Sequence, residues 1–552
     1  MRRKKLTVFA AAAAILLSGC TSEIDYSQVT LAPEYTETAF DDYDITKDVM
    51  QETVIIPDSI QFDSYRPADY VIDTEEFEET VQAESIEGIE SYTNGLEGWN
   101  GTGFICLTDH EYATIPITVP TSQHYDITVR LYGNGAKAAL FTGGLREVDS
   151  PDGDYKTIDG TQWGGIYACR SENFEECKIR GVYLNKGENT VTLQALMGTA
   201  YIDEITVKNG ESVPKLAYGV SNACVDPNAS ITTKTVKRYL ADIYGNRVLT
   251  GQFCSAGTNT EINAIYMSTG RYSAIRFGDI GIFSEYYQGY DKNDENEIDT
   301  AINWWLSGGL VGYTWYWQSP QAEDSSCFSE LTTFDLAKAV PEANVAQMTP
   351  ASLEAYLQTG RISSECMALI NDMDAIAQKL KLLETSGVTV LFRPLPEAGN
   401  GWYWWGCDSK SYLWLYNFMF ERFTQYHKLS NLLWVWDGEN SEYYPGDDKA
   451  DIVGMDLYTN YDISGNSRML DAIGYTIKCK PTAMTECGFV PDPDLIARDN
   501  ACWLWFALWK GDYIINSNGS IHYSHVSSTR LDRAYNNELF ITRDELPSWS
   551  KY

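Results

Sequence analysis

Hydrophobic and polar positions follow two different rhythms along this chain, and the change falls near residue 210. Between 78 and 210 apolar residues tend to recur at every second position in short runs, at 125–131, 182–184, 190–196 and 202–207. Turn-forming clusters separate them, such as Gly133-Asn134-Gly135 and Lys186-Gly187-Glu188-Asn189. Period-two alternation between turns predicts antiparallel strands with one face buried, and so a β-sandwich. Beyond a short connector at 211–220 the rhythm becomes continuous apolar runs alternating with helical patterns. The runs 248–253, 272–277, 310–315, 388–393, 432–436, 451–457, 482–485 and 503–509 read as strands buried on both faces. Between them, 233–243, 298–306 and 413–427 read as helices. So does the stretch in which Leu369, Met373, Ile376, Leu380 and Leu383 share one face. Eight strands alternating with helices predict a parallel (β/α)8 barrel over 215–552, with 320–362 as an insertion.

The first 77 residues fit neither rhythm. Arg2, Arg3, Lys4 and Lys5 precede an apolar stretch at 6–17, too short to span a bilayer, which ends in Leu17-Ser18-Gly19-Cys20. This run resembles a bacterial lipobox and implies a leader at 1–20, cleaved before a lipid-modified Cys20, with the protein anchored on the outer face of a cell membrane. Residues 21–77 carry only Lys47 and Arg66 as bases and show weak apolar periodicity, the character of an acidic tether.

Composition narrows the function. A net charge of -36 over 552 residues argues against nucleic acid, whose phosphates demand a basic face. An aromatic content of 13% suits a protein that stacks on sugar rings. The eleven cysteines other than Cys20 lack a regular framework; Cys169 and Cys177 are close enough in sequence to pair, but spacing alone does not show that they do. The five histidines show no metal-ligand spacing, so the chain gives no motif for a catalytic transition metal.

In a parallel barrel the chemistry lies at the C-terminal ends of the strands. There the chain places Glu397 after the fourth strand and Glu486 after the seventh, with Asp279, Asp437, Glu439 and Asp456 as further carboxylates. Glycoside hydrolysis needs two carboxyls, and spacing alone does not choose the pair.

Several motifs do choose. Leu249-Thr250-Gly251-Gln252, Arg393-Pro394-Leu395-Pro396-Glu397, Trp402-Tyr403-Trp404-Trp405-Gly406 and Trp434-Val435-Trp436 occur in that order. Tyr444-Pro445-Gly446-Asp447, the run from Asp451 to Tyr458 and Thr485-Glu486-Cys487-Gly488 follow. From about residue 225 onward the chain resembles glycoside hydrolase family 26, mostly retaining endo-β-1,4-mannanases. The resemblance implies Glu397 as general acid/base and Glu486 as nucleophile, about 5–5.5 Å apart, with no catalytic cofactor. It implies that Arg393, Tyr458, Trp404, Trp405 and Trp509 line the site, with Gln252, Trp315 and Trp402 beside them. Two positions depart from the family: Pro396 and Tyr316 stand where it usually has histidine. They leave open a mannanase, a related xylanase or mixed-linkage glucanase, or a barrel that only binds glycan.

The sandwich segment carries a second resemblance, in Val81-Gln82-Ala83-Glu84, the run from Glu97 to Phe104, the run from Val182 to Val191, and Tyr201-Ile202-Asp203-Glu204-Ile205. It is similar to a family 35 carbohydrate-binding module. That implies a structural calcium held by Gln82, Glu84 and Asp203, with Trp163 as a sugar platform.

Overall fold

The structure is a computed structural model. It describes residues 75–552 apart from 109, 134–135, 144–146, 150–155, 159–160, 168–172, 290–293, 322, 459–463, 524 and 550–552. Between 144 and 172 strands are described by their backbone alone. Cys20, the leader, the tether up to residue 74 and the side chain of Trp163 therefore lie outside what is described.

The alternating region forms two antiparallel sheets. Its strands are β1 (Glu78–Gln82), β2 (Ser91–Tyr92), β3 (Phe104–Thr108), β4 (Tyr112–Val119), β5 (Gln123–Tyr132) and β6 (Lys137–Thr142). They continue with β7 (Glu147–Asp149), β8 (Lys156–Ile158), β9 (Thr161–Tyr167), β10 (Glu175–Leu184), β11 (Gly187–Met197) and β12 (Thr199–Asn209). One sheet runs β10-β5-β12-β3-β2, with β1 also on β12; the other runs β4-β11-β6-β9, and β7 and β8 form a hairpin. Ile105, Ile127, Val129, Ile202 and Ile205 of the first sheet share one buried core with Ile115, Ile117, Leu140, Val191 and Leu193 of the second. Alternate residues of β4 are buried, the period-two pattern that the sequence shows.

The second region closes into a barrel. Its strands are β13 (Val248–Phe253), β14 (Ile275–Asp279), β15 (Leu310–Trp315), β16 (Val390–Pro394), β17 (Leu432–Trp436), β18 (Ile452–Leu457), β19 (Thr482–Cys487) and β20 (Trp505–Leu508). All neighbours are parallel, and β13 pairs with both β14 and β20. β13, β15, β16, β17, β19 and β20 are buried along their whole length, which is why they read as mainly apolar runs, broken by buried polar residues such as Gln252, Arg393 and Glu486.

Several expected boundaries shift. The second strand begins at Ile275 rather than 272. The seventh continues to Cys487, so Glu486 sits within it rather than beyond it. The helix expected at 413–427 starts at Ser409, where the Asp408 side chain accepts a bond from the Ser411 amide, and ends in a π-helical turn at Arg422–Tyr426. A ninth strand, β21 (Phe540–Ile541), was not anticipated. It pairs in parallel with the first two residues of β13, below the point where β13 meets β14. The Thr250 hydroxyl ties it in, donating to Ile541 O (2.8 Å) and accepting from the Ala274 amide (2.9 Å).

The sandwich docks on the barrel through polar contacts. A bulge in β10 between Ile179 and Val182 turns Arg180 and Gly181 toward the helix Asn466–Gly474. Arg180 bonds Leu470 O and Asp471, and Asn466 Nδ2 donates to Gly181 O at 2.8 Å. Gly181 has φ +65°, and a Cβ there would lie 2.1 Å from Asn466 Nδ2, so the close approach requires glycine. His124 of β5 and Asp499 meet at 2.8 Å with both side chains almost fully buried.

Candidate active site

The loop after β16 sets the first carboxylate. Leu395 (φ 55°) and Glu397 (φ 53°) are both left-handed, on either side of Pro396. Each such residue costs on the order of 1–2 kcal/mol, so the surrounding contacts must hold the turn. The Glu397 amide donates to Asp437 O at 2.6 Å, and Trp405 Nε1 donates to Pro396 O at 2.8 Å. The turn leaves the Glu397 carboxyl buried at the barrel mouth (8% exposed).

Glu486, held in β19, is 2% exposed. Three donors face it. Arg393 and the Tyr316 hydroxyl bond Oε1, and the Tyr458 hydroxyl donates to Oε2 at 2.8 Å. Arg393 is the hub of the mouth: its guanidinium also bonds Asp437 and Asp456. The Thr485 hydroxyl bridges those two aspartates, 2.9 Å from Asp437 and 2.8 Å from Asp456. One oxygen each from Glu397, Asp456 and Glu486 lie within 4.8 Å of one another. Such a triad could hold a cation, but the Arg393 guanidinium already bonds Asp456 and Glu486 and supplies the positive charge there.

Burial pushes the Glu397 pKa up to about 8, and the charges of Glu439, Glu486 and Asp437 add to it, while a hydrogen bond with Asp456 pulls the other way. Burial also raises Glu486, but Arg393 and the two tyrosine hydroxyls favour its charged form. Asp456 is raised well above the usual carboxylate range, chiefly by burial. The mouth thus has two carboxyls, Glu397 and Asp456, whose burial favours their protonated forms, and a third, Glu486, surrounded by donors to its anion.

The aromatic positions divide. Trp315, Trp404 and Trp405, expected to line the site, are fully buried. Trp315 stacks on Trp317 at 4.1 Å, Trp404 Nε1 donates to Trp317 O at 2.7 Å, and Trp405 stacks on Tyr403 at 4.5 Å. These three form the wall behind the mouth rather than its face. Trp402 is half-buried, Tyr458 is exposed, and Trp509 packs edge-on against Tyr316. Gln252 is wholly buried, and its side-chain amide donates to Leu508 O (3.2 Å) and Trp509 O (3.3 Å), so it supports the backbone beneath Trp509. Thr485, Asn400 and Thr314 belong to the network without having been anticipated. Only the position of Thr485 beside Glu486 could have pointed to one of them.

In the sandwich, Gln82 Oε1 and Glu84 Oε2 are buried and unpartnered among the described residues, as a cation site requires. Asp203 departs from the expected set. Its carboxylate is taken by Arg130 and by the Asn100 amide at 2.9 Å. Two side-chain oxygens, of Gln82 and Glu84, are thus open to a cation, out of the roughly six to eight that calcium takes.

A closed parallel barrel with two buried carboxyls this close at its mouth has the pair that glycoside hydrolysis needs. The profile of Glycosyl hydrolase family 26 matches residues 225–545, and the chain belongs to that family, a glycoside hydrolase. It is 28% identical over 473 residues to a mannan endo-1,4-beta-mannosidase of Thermothelomyces thermophilus, covering 82% of this chain and 87% of that one. It is 31% identical over 294 residues to a mannan endo-1,4-beta-mannosidase of Bacillus subtilis, covering 48% of this chain and 73% of that one. Among solved structures it is similar to the Podospora anserina GH26-CBM35 beta-(1,4)-mannanase, at 27% identity and a TM-score of 0.52, covering 86% of this chain and 99% of that one.

Proposed function

We propose that the chain is a retaining endo-β-1,4-mannanase, with Glu486 as nucleophile and Glu397 as acid/base. The observation that carries this is the spacing. Carboxylate oxygens within 4.8 Å suit the ~5–5.5 Å of retaining enzymes, whereas inverting enzymes separate their carboxyls by ~6.5–9.5 Å to admit a water. The Glu486 anion attacks the anomeric carbon as protonated Glu397 gives its proton to the leaving oxygen. Glu397 then takes a proton from the water that releases the sugar. The names of the relatives support mannan as the substrate.

The two departures from the family act differently. Tyr316 keeps a polar contact, because its hydroxyl donates to Glu486 itself. Pro396 has no donor to offer, but its carbonyl anchors Trp405. Neither removes the pair, which favours catalysis over a barrel that merely binds. The test is hydrolysis of mannan, xylan and mixed-linkage glucan, with the anomer of the first product read by NMR. Mannan should be cleaved fastest with a β-anomeric product. Cleavage of xylan or glucan alone would move the enzyme to the alternative substrate, and an α-anomeric first product would overturn the retaining pair.

The sandwich is proposed as a family 35-like carbohydrate-binding module, supported by its two-sheet architecture and by a crystallographic relative that carries such a module on the same kind of barrel. Lipid anchoring through Cys20 rests on the leader sequence. Cys20→Ala should move the protein from the membrane fraction to the soluble one, and unchanged membrane retention would reject the anchor.

A further inference from the structure

Lys137 belongs to the sandwich, at the start of β6, yet its ammonium reaches the barrel mouth. Its Nζ stands 4.5 Å from the centre of the Trp402 ring. Burial lowers its pKa, and the carboxylates that counter this are Glu397 and Glu439, both of the barrel. The placement follows from the joint. β9 and β10 lie against the 466–474 helix, and β6 is the neighbour of β9, with Lys137 opposite Tyr167. Trp402 is half-buried and sits five residues beyond Glu397. The ammonium covers the indole face, and a glycan running from the reacting bond past Trp402 meets a three-donor cation supplied by the other unit. An ammonium donates to several hydroxyls at once.

We infer that Lys137, seated over the Trp402 ring, forms a sugar-binding subsite at the edge of the catalytic cleft, the sandwich supplying the hydrogen-bond donor and the barrel the ring that positions it. Its ligand is a neutral β-1,4-linked oligosaccharide long enough to extend beyond the reacting sugars. The inference rests on the reading of the cleft as glycan-binding. It gives the sandwich a part in holding the chain that is being cut, beside any binding on its own surface.

The experiment uses the full chain with Glu486→Ala to stop turnover, and measures calorimetric affinity for mannohexaose and mannotriose. Lys137→Met keeps an unbranched apolar side chain and removes the donor; Lys137→Arg restores a cationic donor. Loss of a charged hydrogen bond should weaken mannohexaose by about tenfold and leave mannotriose unchanged, with the Arg variant recovering most of the difference. In the active enzyme the same Met substitution should raise KM for the hexaose with kcat little changed. An identical hexaose-to-triose ratio with Lys and Met at 137 overturns the subsite. If mannohexaose does not bind but cellohexaose or xylohexaose does, with the same dependence on Lys137, the subsite stands and mannan is the wrong glycan. If none of the three hexaoses binds, both readings fall.

Discussion

Glu486→Ala should lower kcat on mannan by about 10⁴-fold or more, because it removes the atom that forms the bond to the sugar. Glu397→Ala should behave differently. General acid catalysis contributes on the order of 10²–10⁴-fold when the leaving group is a sugar alcohol. An aryl glycoside with an acidic phenol needs little protonation, so its first step should survive and the second, which needs a base, should become slow. A burst of phenol followed by slow turnover is the expected trace; equal loss on both substrates would remove Glu397 from the acid role. The pH profile gives an independent check. With the Glu397 pKa near 8, kcat/KM of the wild type should fall as pH rises through that value, and Glu397→Ala should lose that limb on the aryl substrate. Stability has a matching sign. A carboxyl whose folded pKa lies above its ordinary 4.5 favours the fold fully below that value and loses this contribution as pH rises through about 8. Glu397→Gln should therefore be more stable than wild type in mildly alkaline buffer, as a melting curve would read.

Arg393→Met should damage both fold and chemistry. The side chain is 4% exposed and bonds three carboxylates, Asp437, Asp456 and Glu486. Removing one partner of a buried ion pair costs about 3–5 kcal/mol, because the charges left behind have neither water nor a counter-ion. The carboxylates would respond by taking up protons, and a protonated Glu486 cannot attack. Activity should fall by roughly 10²–10³-fold, comparable to removing a preorganised donor from an active site. Arg393→Lys should recover little, since one ammonium cannot reproduce a planar fork that reaches three acceptors. The measurements are urea unfolding and kcat at pH 6. Wild-type stability in the Met variant would show that the aspartates do not depend on this cation.

The barrel was legible in the chain because burial on both faces leaves few polar residues, so 248–253, 310–315 and 432–436 mark their strands directly despite Thr250, Gln252 and Thr314. The sandwich was legible for the opposite reason, a strict alternation. β21 was not, since two residues, Phe540 and Ile541, carry no period at all. Glu397 and Glu486 were reached through motif resemblance; strand-end position alone left Asp279, Asp437, Glu439 and Asp456 as equals. The tryptophans show where such reading stops. Trp402, Trp404 and Trp405 are neighbours of one kind in sequence, and only the turn of the 3-10 segment Trp404–Gly406 sends two inward while Trp402 stays at the edge. The left-handed backbone at Leu395 and Glu397 has no reliable mark in side-chain identity, and Lys137 lies some 260 residues from the mouth it reaches.

The joint between the two units bears on how the protein can be taken apart or recombined. A barrel expressed without its partner would expose Asp499, whose pKa is held low by Arg498 and His124, and would leave the Asn466 amide facing water. A foreign sandwich grafted in its place would need a backbone bulge with glycine at the position of Gly181 and a polar ring at that of His124, or the two halves would not seat. Exchange of parts at this seam is therefore a matter of matching a lock on both sides, and cutting at the linker alone does not yield interchangeable pieces.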